Sequence, residues 1–356
     1  MSEKVRVGVV GTSWWADALY FPSLKSHPRA DLVAVCGRNL ERAKEMSAKY
    51  DILQVFTNYR EMLAKGDLNA VILATPDDLH YVMTMDALDA GLHVLCEKPL
   101  ALNAMDARAM YEKAESVGVK HMVLFSYRWH PQFRYMHELV AQGYIGGCFQ
   151  ADMRFRTGIG RNAGYMWRGN QYRANGVLGD LGSHLIDFAR WSVGEINSVA
   201  AHLGVFAERS LPVGEPYAPA NDSAMLVVKF QNGAQATLQL SGVTKVAPGS
   251  FHLDIALYGD TGTLEANLQE CGAIRSARFG EDEAQMLPVP DILWGDADRN
   301  DSWSVLFTNS TGARFFIDAI FENQPISPNF YDGWKAQQVI DAALESDRTG
   351  RWVSIQ

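Results

Sequence analysis

Over the first 125 residues, short and almost uninterrupted apolar runs alternate with segments whose apolar positions recur every three to four residues. Val5 to Val10, Leu32 to Cys36, Ala70 to Ala74, Leu92 to Leu95 and Met122 to Phe125 are the runs. Asn39 to Tyr50 and Asp77 to Ala90 carry the helical period, the second with Asp77 as N-cap after Pro76 and Gly91 as its stop. Strands that lack polar alternation are covered on both faces, and strands separated by helices pair parallel. After about residue 130 the rhythm changes. Gln132 to Ala141 and Leu178 to Val193 read as helices, and Ala224 to Phe230, Ala234 to Leu240 and Phe251 to Tyr258 alternate as strands with one wet face. Asn232-Gly233 between the first two is a hairpin turn. Ser304 to Phe321 and Asp332 to Leu344 close the chain as helices.

The pattern predicts an α/β protein: a doubly wound Rossmann domain over residues 1–126, followed by an α+β domain over 127–356 with a large, mainly antiparallel open sheet. A length of 356 residues fits two domains of roughly 150 each. At 47% apolar and 21% charged residues the chain can bury its own core. Its longest apolar stretches fall far short of the roughly 20 residues that span a bilayer, and Met1-Ser2-Glu3-Lys4 does not open a secretory signal. Cys36, Cys96, Cys148 and Cys271 lie far apart without a CxxC pair, which suits reduced thiols and a cytoplasmic location. A net charge of −9 argues against nucleic acid as a partner. A metal site is not expected, because His137-Glu138 lacks the second histidine of HExxH and Asp180 with His184 lacks a third ligand.

The first strand runs into Gly11-Thr12-Ser13-Trp14-Trp15-Ala16. Set against G-x-G-x-x-G/A, the fingerprint positions are Gly11, Ser13 and Ala16, with Ser13 departing from the middle glycine. The Ser13 hydroxyl would donate to a phosphate in its place; Thr12 and Trp14 complete the turn, and the competing reading is an ordinary strand-to-helix turn. Counting about 20 residues onward lands on Asp31, which begins the second strand at the wrong edge. The strand ends at Arg38 with no carboxylate beside it, so the reading favours NADP over NAD, Arg38 pairing with the 2′-phosphate. The competing reading makes Arg38 a solvated charge at a helix start.

Lys98, in Glu97-Lys98-Pro99, stands just past the carboxyl end of the Leu92 to Leu95 run, where ligands bind such sheets. Asp180 and His184 are four apart in Gly179-Asp180-Leu181-Gly182-Ser183-His184-Leu185-Ile186-Asp187, a spacing that puts both on one helix face. These residues resemble the glucose–fructose oxidoreductase/inositol dehydrogenase (Gfo/Idh/MocA) family, through Glu97-Lys98-Pro99 and the D-x-G-x-H-x-I-D run from Asp180 to Asp187. Thr75-Pro76 with His80, Tyr127-Arg128-Trp129-His130-Pro131, Trp167-Arg168 and Tyr258-Gly259-Asp260 extend the resemblance over essentially the whole chain. Ala174-Asn175-Gly176 departs from the three glycines of many members.

The resemblance implies an NAD(P)-dependent oxidoreductase acting on a secondary alcohol of a sugar, cyclitol or related polyol. It makes His184 the general base, Lys98 the partner of the reacting hydroxyl, and Asp180 the holder of substrate or of that histidine. It puts Gly11, Thr12, Ser13, Trp14, Arg38, Thr75, Pro76, His80, Glu97, Lys98, Trp167 and Arg168 against the cofactor, and Lys98, Arg128, Asp180 and His184 against the substrate. Five arginines (Arg154, Arg156, Arg161, Arg168, Arg173) crowd residues 150–175 with only Asp152 as an acid. If Arg161 or Arg173 faces the crevice, the substrate carries an anionic group; otherwise the arginines pair across the sheet. The open sheet implies a homodimer or homotetramer. Two alternatives stay open: a glycoside-modifying enzyme that oxidises transiently with retained nicotinamide, and a non-catalytic ligand-sensing regulator.

Overall fold

The computed structural model describes residues 4–161, 164–209, 214, 216–247, 250–301, 303–307 and 312–355. Contacts divide the chain into a first unit, Met1–Ser126 with Trp303–Trp334, and a second, Tyr127–Ser302 with Lys335–Gln356.

The first unit is built on β1 (Val5–Val10), β2 (Ala30–Cys36), β3 (Gln54–Phe56), β4 (Ala70–Leu73), β5 (His93–Cys96) and β6 (His121–Val123). They form a parallel sheet in the order β3-β2-β1-β4-β5-β6, which is the doubly wound order expected. Helices α1 (Phe21–Lys25), α2 (Leu40–Tyr50), α3 (Tyr59–Lys65), α4 (His80–Asp89) and α5 (Ala104–Val117) connect the strands. The register aligns the strand ends, since Val10 stands opposite both Cys36 and Leu73, and Leu73 opposite Cys96. Gly11, Gly37, Ala74 and Glu97 therefore emerge side by side at one edge of the sheet, either side of the point where strand order reverses. Asp31 stands at the start of β2, away from that edge. α4 begins later than its sequence pattern: Asp77–Leu79 form a 3-10 turn, and Pro76 rather than Asp77 stands before it.

The second unit begins with α6 (Pro131–Ala141), β7 (Cys148–Thr157) and α7 (Ser183–Ser192). Strands β8 (Ile196–Gly204), β9 (Ser223–Phe230), β10 (Gln235–Ser241), β11 (Phe251–Gly259), β12 (Gly262–Asn267), β13 (Ala273–Arg278) and β14 (Gln285–Pro288) follow, and β15 (Val353–Ser354) ends it. The nine strands lie in the order β14-β13-β12-β11-β7-β10-β9-β8-β15, antiparallel except for the β7–β10 pair. Burial alternates along β9 and β11, as one covered and one wet face require. The Asn232-Gly233 turn forms as read, with Gly233 at φ +90° and the Asn232 side chain accepting from the Ala234 N–H.

Of the helix expected from Ser304 to Phe321, α8 (Ser304–Phe307) and α9 (Gly312–Phe321) are helical, and residues 308–311 lie outside the described residues. Both belong to the first unit, although the sequence reading kept residues 303–334 in the second. The reason is packing. α9 buries Ala313, Phe316 and Ile317 and contacts α1, β1 and β5, while Asp318 pairs with Arg29 at 3.0 Å and His27 at 3.3 Å. The last helix, α10 (Phe330–Thr349), is divided at Trp334. Among the described residues no helix is long and apolar enough to cross a membrane, and all four cysteines are free thiols.

Candidate active site

In the first unit, Gly11 adopts φ +131°, and a Cβ there would fall 2.2 Å from the carbonyl oxygen of Ala74. Only glycine lets the β1 turn and the β4 end lie this close. Gly37 is similarly confined, because a Cβ would meet the Thr12 side chain at 2.6 Å. The Ser13 hydroxyl accepts from the Ala16 N–H at 3.3 Å, which leaves its own hydrogen free to donate outward. Trp14 stands 71% exposed on the turn. Arg38 is exposed at the end of β2, where Asn39 caps α2 by accepting from the Arg42 N–H at 3.1 Å. A bare-backbone turn, a free hydroxyl, an exposed indole and an exposed guanidinium at the switch point fit a dinucleotide.

Glu97 and His80 were expected beside the cofactor, and the structure buries both. Glu97 Oε1 accepts from the Trp15 indole N–H and the Tyr20 hydroxyl, each at 2.6 Å, and Oε2 accepts from the Lys98 N–H at 3.2 Å. Burial and the Glu97 charge push the Tyr20 phenol well above its ordinary range, so it stays a donor. Trp15 also meets Phe307 edge-on at 6.1 Å. Lys98 and the Thr75-Pro76 pair are half-buried at the same sheet edge.

In the second unit, Asn221 builds the start of the helix that carries Asp180 and His184. Its backbone carbonyl accepts from Val177, its side-chain oxygen from Leu178, and its amide donates to the Asn175 carbonyl, each at 2.9 Å. Gly176, at φ +62°, lies so close that a Cβ would fall 2.3 Å from the Asn221 carbonyl oxygen. The helix expected from Leu178 to Val193 opens with a π turn over Leu178–Gly182 before α7 begins. Asp180 therefore sits in that widened turn and His184 in the first α turn, so the four-residue spacing does not span a regular α-helical turn.

Asp180 lies 3.3 Å from Arg168 Nε, and the Arg168 guanidinium lies 4.2 Å over the Trp167 ring. His184 is 7% exposed and meets the Tyr127 ring edge-on at 4.6 Å. Burial and the negative charge of Asp180 hold the Tyr127 phenol protonated, above its ordinary range. Tyr127, which the sequence reading did not single out, lies against both candidate residues; its place beside Arg128 in the junction motif was the available signal.

Arg128, expected to bind substrate, is instead buried in a two-bond ion pair with Asp187, Nε to Oδ2 at 2.8 Å and Nη2 to Oδ1 at 2.5 Å. The other arginines separate as well. Arg156 and Arg154 face Asp254 across β7 and β11 at 3.0 and 3.8 Å, the cross-sheet pairing read as the alternative. Arg161 is exposed and lines a shallow groove with Arg156, Ser241, Thr244 and Lys245, whereas Arg173 is half-buried in the turn after Asn170.

Residues 5–125 match a family described as "Oxidoreductase family, NAD-binding Rossmann fold", and residues 133–265 match the "GFO/IDH/MocA C-terminal domain". An oxidoreductase of Synechocystis is 30% identical over 269 residues, 74% of this chain and 71% of its own. Levoglucosan dehydrogenase of Pseudarthrobacter phenanthrenivorans is 27% identical over 99% of this chain and 98% of its own. A solved levoglucosan dehydrogenase in complex with NADH and levoglucosan superposes with a TM-score of 0.89, at 24% identity over 99% of this chain and 100% of that one, which shows the shared fold.

Proposed function

The chain belongs to the Gfo/Idh/MocA family of oxidoreductases and is a nicotinamide-dependent enzyme acting on CH–OH groups, and from that premise we propose that it is a dehydrogenase of a neutral sugar or related polyol. The support that carries most weight is in the second unit, where Arg168 pairs with Asp180 at 3.3 Å and the buried His184 ring, four positions further along the same helical segment, meets Tyr127 edge-on. A nicotinamide dinucleotide, held at the Gly11 turn, would supply the hydride acceptor when bound. His184 takes the hydroxyl proton as the carbinol hydrogen leaves, and the Lys98 ammonium stabilises the developing alkoxide. Asp180, held by Arg168, orients the substrate or the imidazole, and the Tyr127 ring fixes the imidazole plane. Three of the five arginines already face Asp254 or Asp180, which supports a neutral substrate, and Arg161 and Arg173 are the two positions that an anionic one would need.

For the cofactor, exposed Arg38 with no carboxylate at the end of β2 favours NADP(H) over NAD(H). The first unit is the dinucleotide domain and the second the substrate domain. The wet face of the nine-stranded sheet seats a second copy, giving a homodimer or homotetramer.

A parallel fluorescence titration with NADPH and NADH, followed by a panel of levoglucosan, D-glucose, a methyl glucoside, apiose and myo-inositol, tests the reading. The expected outcome is tighter NADPH binding, reduction of NADP by at least one neutral polyol, and a loss of roughly 10²–10⁴-fold in rate for His184→Ala. Preference for NADH demotes Arg38 to a surface charge. Unchanged hydride transfer in His184→Ala removes the base assignment. Nucleotide that copurifies without net turnover points instead to glycoside chemistry by transient oxidation.

A further inference from the structure

His80 has no part in the proton chemistry just described, yet it is fully buried at the first residue of α4. Its Nδ1 lies 2.8 Å from the Pro99 carbonyl oxygen and its Nε2 lies 2.9 Å from the Thr75 carbonyl oxygen. A carbonyl oxygen only accepts, so each ring nitrogen must donate, and a neutral imidazole has a single N–H. The two contacts are satisfied together only by the doubly protonated ring. Burial opposes that charge, but Cys96 beside the ring and the two carbonyl acceptors outweigh it, and the pKa is pushed up to about 9.

We propose that His80 is a positioning residue for Lys98: donating from both ring nitrogens, it clamps the residue after Lys98 to the residue that ends the β4 loop. Thr75 follows β4 by two residues and Pro99 follows β5 by three, so the ring bridges two neighbouring strand ends at the edge from which Lys98 extends. On the other side, the Lys98 N–H is held by Glu97, itself fixed by Trp15 and Tyr20. The Lys98 backbone is thus gripped from both flanks, and the His80 grip depends on protonation of a buried ring. Such a clamp serves catalysis because a displacement near 1 Å at an acting group can cost on the order of 10²-fold in rate. The inference rests on the reading that Lys98 acts at the reacting hydroxyl.

Two measurements test it. Nitrogen-15 NMR of the histidine rings in the whole wild-type protein should show His80 with both N–H groups present and slow to exchange at neutral pH. A bare ring nitrogen overturns the proposal, and that result needs no substrate and no variant that might misfold. The second is a double-mutant cycle of His80→Asn and Lys98→Ala, assayed on the fastest polyol of the panel above. His80→Asn should lower kcat roughly 10- to 100-fold with nucleotide affinity changed less than about threefold. Lys98→Ala should then cost far less in that background than in the wild type. Independent effects that simply multiply overturn the positioning role, even if the ring is doubly protonated. If Lys98→Ala alone leaves kcat unchanged, the catalytic assignment of Lys98 has failed and the positioning role falls with it, whereas the NMR result still reports the clamp.

Discussion

Arg128 and Asp187 show how one residue's role is decided by what it is buried against. The pair is nearly inaccessible, 6% and 2% exposed at the side chains, and both bonds of the guanidinium fork are used. The guanidinium also lies 5.1 Å over the Trp191 ring, which stacks on His137 at 3.7 Å. Removing the cation leaves a carboxylate stranded in a low dielectric. Arg128→Met should therefore lower stability by about 3–5 kcal/mol, read as a reduced urea midpoint with an unchanged slope. Adding Asp187→Leu should recover part of that loss, since no charge is then left unpaired. A variant as stable as the wild type would show that the pair is not holding α7. Gly11 is constrained by space in the same way. Gly11→Ala must push the β1 turn away from the Ala74 carbonyl, and nucleotide binding by fluorescence titration should be lost before the fold is.

At the scale of elements, two π turns occupy equivalent positions: Ala16–Tyr20 follows the glycine turn and Leu178–Gly182 precedes the His184 helix. Each widens a helix where polar groups gather, as such turns commonly do. The second depends on Asn221. Asn221→Ala strips an acceptor from the Leu178 N–H and a donor from the Asn175 carbonyl, so it should cost roughly 1–3 kcal/mol. Its kcat should fall as well, because His184 loses its fixed start; a variant with full kcat would show that α7 is held elsewhere. The π turns were not legible in the sequence, since Leu178 to Val193 has an unbroken helical period and the contacts that hold the turn come from Asn221, in the connection before β9. What was legible followed from local rules: near-continuous apolar runs marked β1, β2, β4 and β5, and Asn232-Gly233 marked its hairpin. β3, with three half-buried residues, carried too little pattern to read. β7 was hidden because its outward arginines look like a basic cluster until Asp254 is seen across the sheet. Motifs named Gly11, Lys98, Asp180 and His184 as candidates, but long-range partners decided that Arg128 is paired, that His80 and Glu97 are buried, and that 303–334 joins the first unit.

At the scale of the whole molecule, buried histidines give the two units different responses to pH. In the second, burial lowers His130 to about 3, and burial with the Arg128 charge lowers His137 to about 4, from ordinary values near 6.5. Between pH 6.5 and about 4 the unfolded chain binds protons that the folded unit refuses, so stability falls with acid. His27, His93 and His121, lowered mainly by burial, add the same sense to the first unit. His80 works in the opposite direction. Its folded pKa is raised to about 9, so its contribution is complete below pH 6.5 and disappears as pH rises through about 9. Of the shifts resolved among the described residues, His80 alone falls in that window, because the tyrosines and cysteines are displaced upward from ordinary values of 9 or more. Hydrogen exchange from pH 6.5 to 9, corrected for intrinsic rates, should show protection falling in the parallel sheet of the first unit and steady in the nine-stranded sheet. His80→Asn should flatten the first unit's response over the same range. Equal losses in both sheets, or an undiminished slope in the variant, would mean that the buried ring is already neutral at pH 7 and that the Thr75 and Pro99 carbonyls are held some other way.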